Sequence, residues 1–142
     1  MRIQYLAFIR LPTEKAHGIA TIKLCEAFAK KGASVILFVQ WRVNPLREDP
    51  FTYYAVERNF QIVRVPSIDL LWLGFGKRFF FFFQVFSYSI LAALWVLVRH
   101  GFRDTVVFSH DHIPLFFASF FTRRIFYDIH DLPVHTFLYE LV

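Results

Sequence analysis

The sequence predicts an α/β fold: a Rossmann-like, doubly wound parallel sheet with helices on both faces, in three layers α/β/α. Two observations predict it. Short apolar runs rich in β-branched and aromatic residues alternate along the chain with longer helical patterns. The runs are apolar almost throughout, which is typical of strands buried on both faces of a parallel sheet. Right-handed crossovers between such strands then produce the doubly wound topology.

The first half of the chain predicts three strands and one amphipathic helix. We expect the strands at 2–10, 33–41 and 60–68, the last of them ended by Pro66. The helix is expected over 17–31, with an inner stripe of Ile19, Ile22, Cys25 and Phe28. Gly32 follows this helix, at the position where a left-handed residue commonly ends a helix. Residues 42–59 are polar and broken by prolines, which indicates a loop with one short helix.

The second half predicts a long apolar helix followed by two further strand–helix pairs. We expect helices at 77–100 and 114–124, strands at 105–111 and 124–131, and the start of a last helix at 132–142. Residues 1–142 have the length of one domain without repeats or flexible linkers. Because the last helix pattern is cut off without a cap, we expect an incomplete domain of a larger enzyme.

The composition is unusually apolar and basic. Apolar residues make up 56% of the chain, including 20 Phe, against about 45–50% in ordinary soluble domains. This surplus predicts a surface that faces lipid or a partner domain. The net charge of +5 favours an anionic partner such as a phosphorylated substrate, an acidic lipid or a nucleic acid. Because the basic residues are dispersed and form no recognised motif, we expect no nucleic-acid binding.

The single cysteine and the amino terminus limit the cellular context. Cys25 excludes an internal disulfide and any multi-cysteine zinc site, and its helical spacing predicts a buried side chain. The short apolar run at 3–9 has no small-residue cleavage site after it, so no secretory signal is evident. We therefore expect a cytoplasmic protein.

The polar residues gather after the carboxyl ends of the predicted strands, where ligands bind in open α/β sheets. They are Lys15, His17 and Gly18 after the first strand, His110, Asp111 and His112 after the fourth, and His130, Asp131 and His135 after the fifth. The first group lies at a helix N-terminus, where exposed N–H groups favour anions. Gly18 would let the backbone approach a ligand and Lys15 would add a charge; alternatively, Gly18 relieves a tight turn and Lys15 is solvated.

The histidines and aspartates allow two further interpretations. Their spacing matches no zinc motif, so we expect no metal. His130 before Asp131 suits a neutral imidazole that hydrogen-bonds a sugar hydroxyl or a phosphate. The alternative is a capping or core histidine. Neither a G-x-G-x-x-G fingerprint nor a P-loop is present.

Two separated stretches resemble family 4 glycosyltransferases, which are retaining enzymes of the GT-B fold. Residues 12–38, "PTEKAHGIATIKLCEAFAKKGASVILF", resemble the family's opening loop and helix. Residues 124–133, "RIFYDIHDLP", resemble a later strand whose histidine lies in the cleft. The resemblance extends from Arg2 to about Pro133. One difference is the lone glycine of the first loop, where many members have two.

The resemblance implies that the chain is the N-terminal, acceptor-side half of a two-domain enzyme. Such an enzyme moves a sugar from a nucleotide-sugar donor, with retention, and we expect an envelope or lipid-linked acceptor. The donor itself binds mainly to a C-terminal Rossmann-like domain, and no other cofactor is implied. Gly18 then matches the loop glycine near the donor phosphates, and His130 matches the cleft histidine beside the transferred sugar. Lys15, His17, Asp111 and Asp131 are further candidates for binding the donor phosphates or the acceptor.

The run from Phe79 to Val98 carries no charge and is long enough to cross a bilayer. A span there would put the third and fourth strands on opposite sides of the membrane, so we expect a helix packed on the sheet. Its outer face, with Trp72, Phe75, Lys77 and Arg78 near its start, would contact an anionic membrane surface from the cytoplasmic side. The alternative is burial under a missing domain or a partner.

Two other functions stay open at this point. One is a non-catalytic Rossmann-like module that binds a phosphorylated or lipid ligand at the same sheet edge. The other is a small integral membrane protein that uses residues 79–98 as a span.

Overall fold

A computed structural model of the chain describes residues 1–67, 77–99 and 104–128. The strands are β1 (Arg2–Ala7), β2 (Ser34–Trp41), β3 (Gln61–Pro66), β4 (Thr105–Ser109) and β5 (Ile125–Tyr127). The helices are α1 (Ala16–Lys30), α2 (Pro50–Tyr53), α3 (Lys77–Arg99) and α4 (His112–Ser119). All five strands are parallel, in the order β3-β2-β1-β4-β5. The predicted Rossmann-like α/β fold is confirmed.

The helices pack on both faces of the sheet, and each face has its own hydrophobic cluster. Because side chains alternate along a strand, Tyr5 of β1 faces one cluster and Leu6 faces the other. The first cluster packs α1 and the α2 segment through Ile22, Cys25 and Tyr54. The second packs α3 and α4, with Tyr88 fully buried. The sheet is therefore the middle of three layers.

Tyr88 fixes α3 on the carboxyl half of the sheet. Its hydroxyl lies 3.0 Å from the carbonyl oxygen of Ala7 and 2.8 Å from that of Phe38. Burial raises the pKa of Tyr88, so the hydroxyl keeps its proton, which it shares between these two carbonyls of β1 and β2. The prediction of a sheet-packing helix is confirmed for residues 77–99.

The strands end earlier than their apolar patterns predict. β1 ends at Ala7 instead of Arg10, and β4 ends at Ser109 instead of Asp111. The cause is a set of side-chain hydrogen bonds that replaces the ladder. Ser109 Oγ donates to the carbonyl of Leu6 at 2.6 Å and accepts the N–H of Asp111 at 2.9 Å. The N–H of Phe8 donates to Asp111 Oδ2 at 2.8 Å.

Helix α1 has nearly the predicted bounds but a different buried face. Its buried residues are Gly18, Thr21, Ile22 and Cys25, whereas Ile19 is 45% exposed. The prediction for Ile19 is wrong because Gly18 and Thr21 turn toward the sheet and leave Ile19 on the flank. Cys25 is buried, and Gly32 has a φ of +87°, as predicted.

The remaining boundaries shift or fall outside the described residues. α4 covers His112–Ser119 instead of 114–124, and β5 covers only Ile125–Tyr127 of the predicted 124–131. The predicted final helix at 132–142 lies outside the described residues. So do His130, Asp131, Trp72 and Phe75.

Candidate functional site

The strand order places a topological switch point between β1 and β4. β1 pairs with β2 on one side and with β4 on the other. The loop after β1 leads to α1 on one face of the sheet, and the loop after β4 leads to α4 on the opposite face. Such a point, where neighbouring loops diverge, is where open α/β sheets bind ligands.

Four polar side chains meet at this point and are called here the switch-point cluster: Tyr5, His17, His110 and Asp111. The Tyr5 hydroxyl lies 2.8 Å from His110 Nδ1, and the rings of His17 and His110 are 6.3 Å apart. Burial raises the pKa of Tyr5, so its hydroxyl is protonated and can donate to Nδ1. The other ring nitrogen of His110, Nε2, lies 3.6 Å from Asp111 Oδ2.

His17 is expected to titrate below its ordinary value of 6.5. His17 is exposed, but the partial loss of hydration around its ring disfavours the imidazolium and lowers its pKa. The neighbouring His110 and Lys15 lower this pKa further, and Asp111 opposes them. The unfolded chain therefore binds more protons than the folded one just below pH 6.5, and the folded state loses stability as the pH falls through that region.

An NMR titration of the His17 ring protons measures this pKa directly. Lys15→Met should raise the pKa of His17, because it removes a positive neighbour. Lys23→Met, which changes an exposed lysine farther along α1, serves as the matched control and should leave it unchanged. A pKa of His17 at or above 6.5 would contradict the described environment.

Gly18 is buried beneath the loop that follows β1. An added Cβ would overlap Thr13 Cγ2 and would lie 3.1 Å from the Tyr54 hydroxyl. That hydroxyl accepts the N–H of Thr13 and donates to its carbonyl, both at 2.7 Å, so Thr13 is held in place. Gly18 thus has a packing role in closing the loop onto α1. Its contact with a phosphate stays a prediction.

A cavity of about 390 Å³ lies at the carboxyl end of β1 and is called here the β1 cavity. Its lining comes from the segment between β1 and the first turn of α1, from the end of β2 and from α3, and it includes Arg10, Lys15, His17, Gln40, Arg42 and Phe81. Its described lining contains three basic side chains and no acidic one. Arg10 also pairs with the exposed Glu14 at 3.7 Å, a contact that contributes little in water.

A second cavity of about 320 Å³, called here the β2 cavity, shares Gln40 and Arg42 with the first. It adds Arg47, Glu48 and Arg64. Gln40 is buried, and its side-chain oxygen accepts from the buried Gln84 of α3 at 3.3 Å. The two cavities together form a basic groove along the carboxyl ends of β1, β2 and β3. Such a groove attracts anions.

Sequence reasoning found part of this groove and missed the rest. It placed Lys15 and His17 at the ligand edge, and both line the β1 cavity. It missed Arg10, Arg42 and Arg64, which come from separate segments of the chain. Arg10 and Arg42 each follow closely on a strand, and this position could have identified them as candidates for the ligand edge of the sheet. Asp111 lies at the switch point between β1 and β4, where one of its carboxylate oxygens accepts the N–H of Phe8.

Six of the predicted site residues lie either outside the described residues or at the start of α3. His130, Asp131, Trp72 and Phe75 lie outside the described residues. Lys77 begins α3, and Arg78 is exposed beside it. Within 1–67, 77–99 and 104–128, no group of three or more potential ligand side chains is placed to hold a metal ion.

No family model matches the chain, and no curated protein matches it.

Proposed function

We propose that this chain forms the N-terminal, acceptor-side domain of a retaining glycosyltransferase of the GT-B fold. The enzyme would move a sugar from a nucleotide-sugar donor to an envelope or lipid-linked acceptor. The main support is the β1 cavity, in which three basic side chains converge at the carboxyl edge of a Rossmann-like sheet. The loop that lines this cavity carries the sequence that resembles family 4 enzymes.

In this proposal the described residues bind and orient phosphates. Lys15 and Arg42 neutralise an anionic group in the β1 cavity, and the start of α1 adds the partial positive charge of a helix N-terminus. Because His17 has a lowered pKa, it is a neutral hydrogen-bonding group near pH 7. A second Rossmann-like domain would hold the nucleotide, and His130 would contact the transferred sugar.

Replacing His130 tests the catalytic part of the proposal. In the whole protein, His130→Ala should lower turnover about a hundredfold or more, since a hydrogen bond that strengthens in the transition state is lost. The midpoint of thermal unfolding should hardly change. His100→Ala, at the end of the predicted apolar helix, is the control and should leave turnover intact. Unchanged turnover in His130→Ala would remove His130 from the site.

A non-catalytic phosphate-binding module is the alternative function. The basic cavity favours it as well, because anion binding requires neither His130 nor a second domain. The two functions differ in one observable: the module binds phosphate at the same edge but transfers no sugar from any donor.

We also propose that the outer face of α3 rests on the cytoplasmic surface of an anionic membrane. Phe79, Phe82 and Phe86 are exposed there, and Arg78 lies at the start of the helix. In the described residues, the segment Arg78–Val98 is long and apolar enough to cross a membrane by length and composition. Its other face packs on the sheet between β3 and β4, which favours a surface contact over a span.

A further inference from the structure

The β1 cavity is bordered by the start of an exposed aromatic surface. Phe81 of α3 lines the cavity together with Arg10, Lys15 and Arg42. Its ring packs edge-on against Phe8 at 5.9 Å, at the end of β1, and against Phe82 at 6.0 Å. The cationic side chains and the first turns of α3 are thus parts of one continuous surface.

The aromatic part of this surface consists of exposed phenylalanine rings. Phe81 and Phe82 are 46% and 49% exposed, and Phe79 beside them is 69% exposed. Their rings offer no hydrogen-bonding group, and residues 77–99 contain no acidic residue. Covering such rings with hydrocarbon removes apolar area from water and is favourable. A nucleotide base would stack on one ring, whereas a hydrocarbon chain can cover several rings in a row.

We infer that the β1 cavity and the first turns of α3 form a single binding site for an amphiphilic phosphate. The phosphate head binds among Arg10, Lys15 and Arg42, and the hydrocarbon chain lies along Phe81 and Phe82. The cavity volume of about 390 Å³ is within the range of small-molecule sites. Under the proposed function, on which this role rests, the ligand is the acceptor: a lipid-linked phosphate.

Binding of farnesyl monophosphate to the whole protein tests this inference without any sugar donor. Calorimetry should show at least about tenfold tighter binding of farnesyl monophosphate than of inorganic phosphate, because the chain adds buried apolar area. Uncharged farnesol should bind more weakly than farnesyl monophosphate, because it lacks the group that the cations attract. Equal affinity for farnesyl monophosphate and inorganic phosphate would overturn the inference and leave a site for free phosphate. Absence of binding would overturn it as well.

Variants locate the two halves of the ligand. Phe81→Ser should weaken farnesyl monophosphate about tenfold and leave inorganic phosphate unchanged, and Phe82→Ser should act in the same direction. Phe120→Ser changes a phenylalanine after α4 that is more exposed than Phe81, at 68%, and should alter neither ligand. If Phe120→Ser weakens binding as much as Phe81→Ser, the chain binds the apolar surface at large and the inference fails.

The outcome for binding is separable from the outcome for glycosyl transfer. Tight, Phe81-dependent binding without sugar transfer would retain the amphiphile site and reject the glycosyltransferase. Transfer to a water-soluble acceptor, with no preferred binding of farnesyl monophosphate over inorganic phosphate, would retain the glycosyltransferase and reject the amphiphile site.

Discussion

Gly18→Ala is expected to lower the free energy of unfolding by about 2 kcal/mol. The new methyl group would overlap Thr13 Cγ2 inside a buried contact. Thr13 cannot easily move away, because its N–H and its carbonyl are both hydrogen-bonded to the Tyr54 hydroxyl. Overpacking of this kind costs about 1–3 kcal/mol, and it exceeds the small gain from alanine so near the helix start. Urea unfolding of the wild type and the variant measures the difference.

A second substitution shows whether the overlap is the cause. Thr13→Ser removes the methyl group that the alanine would meet and keeps the hydroxyl, so the double variant should recover most of the loss. Gly32→Ala is the matched control. Its cost comes from a φ of +87° with no neighbour within 4 Å, and Thr13→Ser should not relieve it. Wild-type stability in Gly18→Ala would contradict the packing role of Gly18.

Arg42→Gln is expected to weaken the binding of inorganic pyrophosphate about tenfold or more. Arg42 lines both cavities, so its loss removes a charged donor from the middle of the basic groove. The affinity of the wild type should also fall with rising salt, because the site acts largely through charge. Titration calorimetry at two salt concentrations measures both effects.

The control for Arg42→Gln makes the same charge change at a distance from the groove. Arg124 lies just before β5, at the opposite end of the strands, and pairs with the exposed Asp104 at 3.3 Å. Arg124→Gln should leave pyrophosphate binding unchanged. Equal losses in the two variants would mean that net charge alone, and not the groove, attracts the anion.

The sequence was sufficient for the fold because each strand and helix has a local pattern. Continuous apolar runs such as 35–39 and the stripe around Ile22 and Cys25 depend only on neighbouring residues. The strand ends were not predictable in this way. Ser109 and Asp111 end β4 by bonding to Leu6 and Phe8, and those partners become neighbours only after β1 and β4 pair.

Only the part of the candidate site that comes from a single loop could be predicted from the sequence. Lys15 and His17 are close in sequence and follow a strand, so their position at the ligand edge could be inferred. Arg42 joins them because β2 lies beside β1, which the amino-acid pattern does not encode locally. Gly18 has two chemically reasonable roles, and its packing against Tyr54 depends on a contact between distant segments.

The most direct measurement is sugar transfer by membranes from cells that produce the whole protein. The membranes are incubated with a panel of nucleotide sugars labelled in the sugar, and label is counted in the organic extract. We expect label to appear with at least one donor and to fall about tenfold or more in Arg42→Gln, but not in Arg124→Gln. No transfer from any donor, by a protein that still binds pyrophosphate, would contradict the proposed glycosyltransferase and leave a phosphate-binding module.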